Sequence, residues 1–245
     1  MHAAASPSSA AMWMNCPASI TKAEGRERPS SRFAKEGTAA HKIAETILGG
    51  NLFPPGKISV EGTEFIVGIP MLRALRPYIS LVESLRDRRG AKTYLEQKVV
   101  LGWSGGQVWG TADCISLRKT TLDIVDLKFG KGVPVSPDSA QLKIYALAAI
   151  DTFWPSAHFT DINLTIVQPR LDPVPKTINI GSYTLADWNR FELKPAVGRI
   201  VQGDDTEKVG DWCRWCVRTS ECAAFAQKRF TKAADSFDDG VDLPA

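Results

Sequence analysis

The stretch Thr120-Thr121-Leu122-Asp123-Ile124-Val125-Asp126-Leu127-Lys128 decides the architecture of this chain. Leu122, Ile124, Val125 and Leu127 leave it few solvent-loving positions, so it reads as a buried strand over about 121–128. Asp126 and Lys128 stand two residues apart at its end and share one face of a sheet. A lone D-x-K triplet also describes any strand end with two solvated charges, so its weight comes from its neighbours. Upstream, GTAD ends at Asp113 on a second strand-like segment, about 107–118, packed through Val108, Ala112, Cys114 and Ile115 to Leu117. Gly110 there permits close backbone approach. Downstream, QLKIYALAAI is apolar at Leu142, Tyr145, Ala146 and Ala149, a helical repeat. Gln141 and Tyr145 are four apart and share one helix face. Taken singly, Tyr145 also fits core packing and Gln141 a solvated helix position.

Two acids and a neighbouring lysine are suited to one kind of chemistry. A phosphodiester resists attack because its anionic oxygens repel hydroxide. A hard divalent cation cancels that charge, lowers the pKa of its bound water, and is held by carboxylate oxygens. Asp113 and Asp126 supply such oxygens. Lys128 is a compact cation able to position or deprotonate the water, or to stabilise charge on the phosphoryl oxygens.

Read in order, these elements resemble the RecB-like branch of the PD-(D/E)XK nuclease superfamily. Its pattern is a glycine-plus-aspartate strand, a D/E-x-K strand and a Q-x-x-x-Y helix. An earlier G-T-x-x-H helix is matched by Gly37-Thr38-Ala39-Ala40-His41. The resemblance implies an α/β fold with a restriction-endonuclease-like α-β-β-β-α-β core, a mixed central sheet flanked by helices. It implies that His41, Asp113, Asp126 and the carbonyl of Leu127 bind Mg2+ or Mn2+, and that Lys128 is the catalytic lysine. Gln141 and Tyr145 would contact DNA near the scissile phosphate. Glu45, one turn after His41, is a second-rank candidate between a supporting partner and a solvated charge. Glu96, in YLEQKVV, is another, because RecB-like nucleases often carry an acid there. Lys131, between Gly130 and Gly132, is a candidate for the DNA backbone.

Five cysteines give a separate signal. Cys213, Cys216 and Cys222 form C-x2-C-x5-C, a spacing that lets three thiolates converge on one metal centre. Cys16 stands far upstream, directly before Pro17. This arrangement is similar to that of RecB-like nucleases with a four-iron cluster, including CRISPR-associated adaptation nucleases and a subunit of bacterial break-repair complexes. In them a [4Fe-4S] cluster joins the N- and C-terminal segments on either side of the nuclease core. Structural zinc suits four thiolates equally well by spacing alone. Disulfides need an oxidising compartment, and no signal sends the chain to one. Cys114 reads as a small buried apolar residue.

The remaining composition fits one domain. A chain of 245 residues with 44% hydrophobic content can bury a sizeable core. We expect a single nuclease unit over 1–232, with a core of about 36–202 and cluster-binding ends at about 6–20 and 210–226. An acidic tail, 233–245, carries Asp235, Asp238, Asp239 and Asp242 and is expected to be disordered. The N-terminus lacks the pattern of a secretory signal, and no apolar run approaches a membrane span, so a cytoplasmic protein without membrane association is expected. SPSSAxxWxxCPxS and EGTxxH resemble proteins of phage and prophage recombination modules. That implies an exonuclease resecting DNA ends in a bacterial host, with a single-strand annealing or binding protein as possible partner. A catalytically silent DNA-binding protein and a zinc-stabilised structural module are the alternatives.

The other elements are expected as follows. A helix start lies at Ser6-Pro7-Ser8-Ser9, a loop over 21–36, and a helix over about 38–48 ended by Gly49-Gly50. A further loop covers 51–62, followed by a helix over 70–89 interrupted or kinked near Pro77. A strand over 93–101, joined to 107–118 as a hairpin, precedes the 121–128 strand. Then come a helix over 138–151, a strand over 160–168, and a helix over 185–201 capped by Thr184-Leu185-Ala186-Asp187.

Overall fold

The central sheet grows from the buried strand and its neighbours. In the computed structural model, residues 5–23, 25–26, 30–52, 56–153 and 159–238 are described. A short hairpin, β1 (Gly56–Val60) with β2 (Thr63–Val67), stands apart from a five-stranded sheet. The large sheet comprises β3 (Lys92–Val100), β4 (Trp109–Arg118), β5 (Thr121–Leu127), β6 (Asp161–Gln168) and β7 (Asp172–Ile180), in that spatial order. All neighbours are antiparallel except β5 and β6. A parallel pair needs a crossover, and helix α5 (Ala140–Phe153) supplies it. The chain is thus a mixed α/β protein with a five-stranded mixed sheet flanked by helices.

The helices in chain order are α1 (Ala10–Trp13), α2 (Ala18–Thr21), α3 (Arg32–Leu48), α4 (Ile69–Arg86), α5, α6 (Ser182–Trp188), α7 (Lys194–Val201) and α8 (Ala223–Asp238). Two cores lie on opposite faces of the sheet. One joins Leu122, Ile124 and Leu164 to Leu142 and Tyr145 of α5, Trp13 of α1 and Val197 of α7. The other joins Val125, Leu127 and Cys114 to Ile43 of α3 and Leu75 and Val82 of α4. Strand β5, buried on both faces, shows why its sequence is a near-continuous apolar run.

Several expectations are corrected. Helix α3 begins at Arg32 rather than Thr38, because Ser31 is its N-cap and accepts a hydrogen bond from Ala34 N at 3.2 Å. The expected loop over 51–62 contains β1, and Glu61 and Gly62 form its two-residue turn with positive φ at both. Helix α4 runs from Ile69 to Arg86 without interruption at Pro77. Strand β7, read from sequence as no element, is an edge strand, where Pro173 and Pro175 forfeit no ladder bond in the sheet interior. The expected 185–201 helix starts at Ser182 with Gly181 as cap, and a π segment, Asn189–Leu193, separates α6 from α7. Helix α8 reaches Asp238, so the expected tail begins inside it, while 239–245 lie outside the described residues. No helix among the described residues is long and apolar enough to cross a membrane.

Candidate active site

The site forms where β4 and β5 part. They pair only from Cys114↔Val125 to Arg118↔Thr121, so Asp126 and Leu127 bond to β6 alone. On the side facing β4, the backbone of Leu127 has no strand to satisfy it, and side chains take that place. Asp113 Oδ2 accepts from Leu127 N at 2.7 Å, and His41 Nε2 lies 3.0 Å from Leu127 O. The fork turns two ladder groups into anchors for an acid and an imidazole.

On the other side of β4, Glu96 and Asp113 face each other. The β3–β4 pairing runs through Leu95↔Cys114 and Gln97↔Ala112 but omits the pair between them. Glu96 has φ +43°, unusual for a non-glycine strand residue. The faces switch there: Leu95 and Cys114 pack under α3 and α4, whereas Val99 and Ala112 pack under α5. Such backbone costs about 1–3 kcal/mol and persists where surrounding structure enforces it. Here it aims Glu96 at His41, with Oε1 3.4 Å from Nδ1. Asp113 Oδ1 lies 3.4 Å from the same nitrogen. Ligand atoms of His41, Glu96 and Asp113 all fall within 4.8 Å of one another.

Asp126 and Lys128 project to the α5 face, as their spacing requires. Lys128 Nζ donates to Asp126 Oδ1 at 3.1 Å and to Gln141 Oε1 at 2.9 Å. Gln141 Nε2 donates to the same Oδ1 at 2.9 Å. Asp126 Oδ2 lies 2.8 Å from Lys128 Nζ, yet it is buried and accepts no well-directed hydrogen bond. Tyr145, one helical turn from Gln141, is 5% exposed and packs into the core beneath the site.

Charge is unbalanced toward the negative. Burial pulls His41 down, but Asp113, Glu96 and Asp126 outweigh it and push it up to about 9. Burial pushes Asp113 up, His41 pulls it back, and with Asp126 and Glu96 adding repulsion it stands at about 7. Burial lowers Lys128, and Asp126 overcompensates, holding it above the usual lysine value. Burial drives the neighbouring Cys114 thiol up to about 12, which keeps it neutral.

Of the second-rank candidates, Glu96 joins the cluster while Glu45 is exposed on α3 and touches none of these groups. Lys131 is exposed and lines a groove of about 790 Å³ beside the end of β5. Pro7 was not legible as a site residue. A methyl group on Gly110 would meet Pro7 Cδ at 2.9 Å and Tyr145 Cε1 at 3.1 Å, so the N-terminal segment packs directly on the GTAD strand.

The four cysteines expected to act together do line one small enclosed pocket. Each sulfur accepts a backbone N–H: Cys16 from Lys208 at 3.4 Å, Cys213 from Gly210 at 3.4 Å, Cys216 from Arg218 at 3.5 Å and Cys222 from Phe225 at 3.4 Å. Burial, with Glu207 beside it, holds the Cys222 thiol above its ordinary value despite the backbone donor. All five cysteines are free, and Cys114 lies apart, buried beside Asp113. No three of the sulfurs lie within 4.8 Å of one another. The two chain ends are also tied by Thr21 Oγ1 to Asp204 O at 2.8 Å, and by Arg218 Nη1 to Ala18 O at 3.4 Å. Glu207, missed in the sequence, bonds Arg218 and receives the Cys222 thiol at 3.3 Å.

The family model described as "Protein of unknown function (DUF2800)" matches residues 2–245. Among solved structures, one titled "Crystal structure of SSO0001" is similar at 13% identity, with a TM-score of 0.35. The match covers 88% of this chain and 96% of that one.

Proposed function

The chain belongs to the DUF2800 family of proteins of unknown function, and we propose that it is a divalent-metal-dependent deoxyribonuclease on a RecB-like PD-(D/E)XK core. The observation that carries the reading is the strand fork. It gathers His41, Glu96 and Asp113 within 4.8 Å and sets Asp126 and Lys128 beside them. An imidazole, carboxylates and the Leu127 carbonyl form a hard nitrogen–oxygen donor set, which suits Mg2+ or Mn2+. Asp126 Oδ2, which makes no well-directed hydrogen bond, faces Lys128 Nζ at 2.8 Å, so an added cation would share this carboxylate with the lysine.

A bound divalent cation would neutralise phosphoryl charge and lower the pKa of a coordinated water. The chain's own residues do the rest. His41, Glu96 and Asp113 would hold the ion, with Asp126 and the Leu127 carbonyl as the further oxygens that the resemblance assigns to it. Lys128, fixed between Asp126 and Gln141, presents a cation to developing charge on the phosphate. Gln141 locks the lysine and the aspartate in one geometry, and Tyr145 braces Gln141 from the core. Such positioning can supply several kcal/mol of a barrier.

Cys16, Cys213, Cys216 and Cys222 are proposed to hold a [4Fe-4S] cluster joining the chain ends. Four cysteines lining one pocket suit either metal centre, and the resemblance to cluster-bearing nucleases favours the four-iron cluster. Action on DNA ends, a phage or prophage recombination setting with an annealing or single-strand-binding partner, and one nuclease unit over 1–232 belong to the same proposal.

The test is cleavage of end-labelled single- and double-stranded DNA with Mn2+ after anaerobic purification. Asp126→Ala and Asp113→Ala should each abolish cutting while DNA binding survives. A variant that cuts at near the wild-type rate would remove that acid from the site.

A further inference from the structure

Beside the cluster, a groove of about 790 Å³ opens between the N-terminal half of α3, the β1–β2 hairpin and the loop after Lys128. Arg32, Lys57, Lys131 and Arg170 line it against two carboxylates, Glu36 and Glu64. Glu64 pairs with Lys57 at 2.8 Å, and Glu36 with Arg170 at 2.8 Å. Arg32 and Lys131 are exposed and have no carboxylate partner among the described residues. The wall is therefore positive in balance, with Arg32 at the start of α3 and Lys131 in the loop after β5.

The groove is not only charged. The Arg170 guanidinium lies over the Phe129 ring, 4.9 Å from its centroid, and Glu36 pairs with its Nη1 at 2.8 Å. An arginine resting on a ring at the wall of a groove is a group against which an unpaired base can stack. Ile66 on the hairpin is 78% exposed on the facing wall. Positive charges along a track with a planar stacking surface and apolar wall are what an unpaired strand needs. A duplex, its bases already stacked inside, uses only the charges.

The geometry points to this groove as the path of a single-stranded nucleic acid leading to or from the scissile position, with Arg32 and Lys131 on its phosphates and Arg170 beneath a base. This inference rests on the nuclease reading, because Phe129 and Lys131 follow directly on Lys128. It adds that the protein takes an unpaired strand, and it names the residues that hold it.

The experiment measures binding of a labelled oligothymidylate to the full chain by fluorescence anisotropy in EDTA, across a salt series. No cleavage is needed. The wild type should bind this strand more tightly than a duplex of equal length. Arg32→Ala/Lys131→Ala should bind severalfold more weakly, with a salt slope shallower by about 1.4, two single-strand phosphate contacts at about 0.7 each. Lys228→Ala, a charge on α8, should change neither. Both groove residues are exposed, and a melting temperature equal to wild type confirms the fold of the variant. An unchanged affinity and slope in the double variant, tighter binding of duplex, or no binding by the wild type would each overturn the groove. A protein that binds the strand through these residues but never cuts with Mn2+ sinks the nuclease reading and leaves the groove. An active nuclease whose binding ignores both charges sinks the groove alone.

Discussion

Adding one methyl group at Gly110 tests how the N-terminal segment is joined to the GTAD strand. A Cβ at that position would lie 2.9 Å from Pro7 Cδ, 3.0 Å from Pro7 Cγ and 3.1 Å from Tyr145 Cε1. Carbon atoms prefer separations of about 3.5–4.0 Å, so three contacts are too short at once. None can yield cheaply. The Pro7 ring is part of the backbone, and Tyr145 is buried against the same core as Trp13. Overpacking of this kind costs about 1–3 kcal/mol. Replacing glycine also restricts the unfolded chain, which returns about 0.4–1 kcal/mol. The net loss for Gly110→Ala is therefore roughly 1–2 kcal/mol, and each kcal/mol moves the melting temperature of a chain this size by about 2–4 °C. Thermal and urea unfolding of wild type and variant measure it. Gly130→Ala is the control: nothing lies within 4 Å of its added carbon and its φ is not positive, so its change should stay within about 0.5 kcal/mol. Pro7→Ala in the Gly110→Ala background removes two of the three close atoms and should restore part of the loss, a coupling a double-mutant cycle detects. A Gly110→Ala protein as stable as wild type, or a cycle that is strictly additive, would refute the contact.

Lys128→Ala should lower Mn2+-dependent cleavage by about 10²–10³-fold and leave the metal requirement in place; a rate within a few fold of wild type removes the lysine from the chemistry. His41→Ala should raise the Mn2+ concentration for half-maximal cleavage by at least about tenfold without changing DNA affinity, and superimposable metal curves would exclude His41 as a ligand. Serine at Cys16, Cys213, Cys216 or Cys222 should bleach the brown colour of anaerobically purified protein and lower its melting temperature, because ligation is coupled to folding. A colourless, zinc-loaded wild type would end the iron–sulfur proposal. Cys114→Ser should keep the colour and still lose about 1–3 kcal/mol, since it places a hydroxyl in a fully buried site.

Much of this molecule is written locally. The apolar run of β5, the spacing of Asp126 and Lys128, and the helical repeat around Gln141 depend on neighbours a few residues away, and the structure places them as read. The trio Cys213, Cys216 and Cys222 was recognisable from its spacing, whereas Cys16 was joined to it only by the family resemblance. The β1–β2 hairpin and β7 were not legible. One has few inward residues, and the other carries two prolines that only an edge position tolerates. Glu96 could not be ranked, because its role follows from a positive φ enforced by two strands changing faces together. Glu45, one turn from His41, had an equal claim by spacing and turned away from the cluster. Pro7 and Arg170 reach the site only through contacts across long stretches of chain. Sequence determined which side chains could do chemistry and on which face of each element they stand. Tertiary structure decided which of them meet, because the parting of β4 from β5 leaves the Leu127 backbone to be satisfied by Asp113 and His41, and no local pattern encodes where two strands separate.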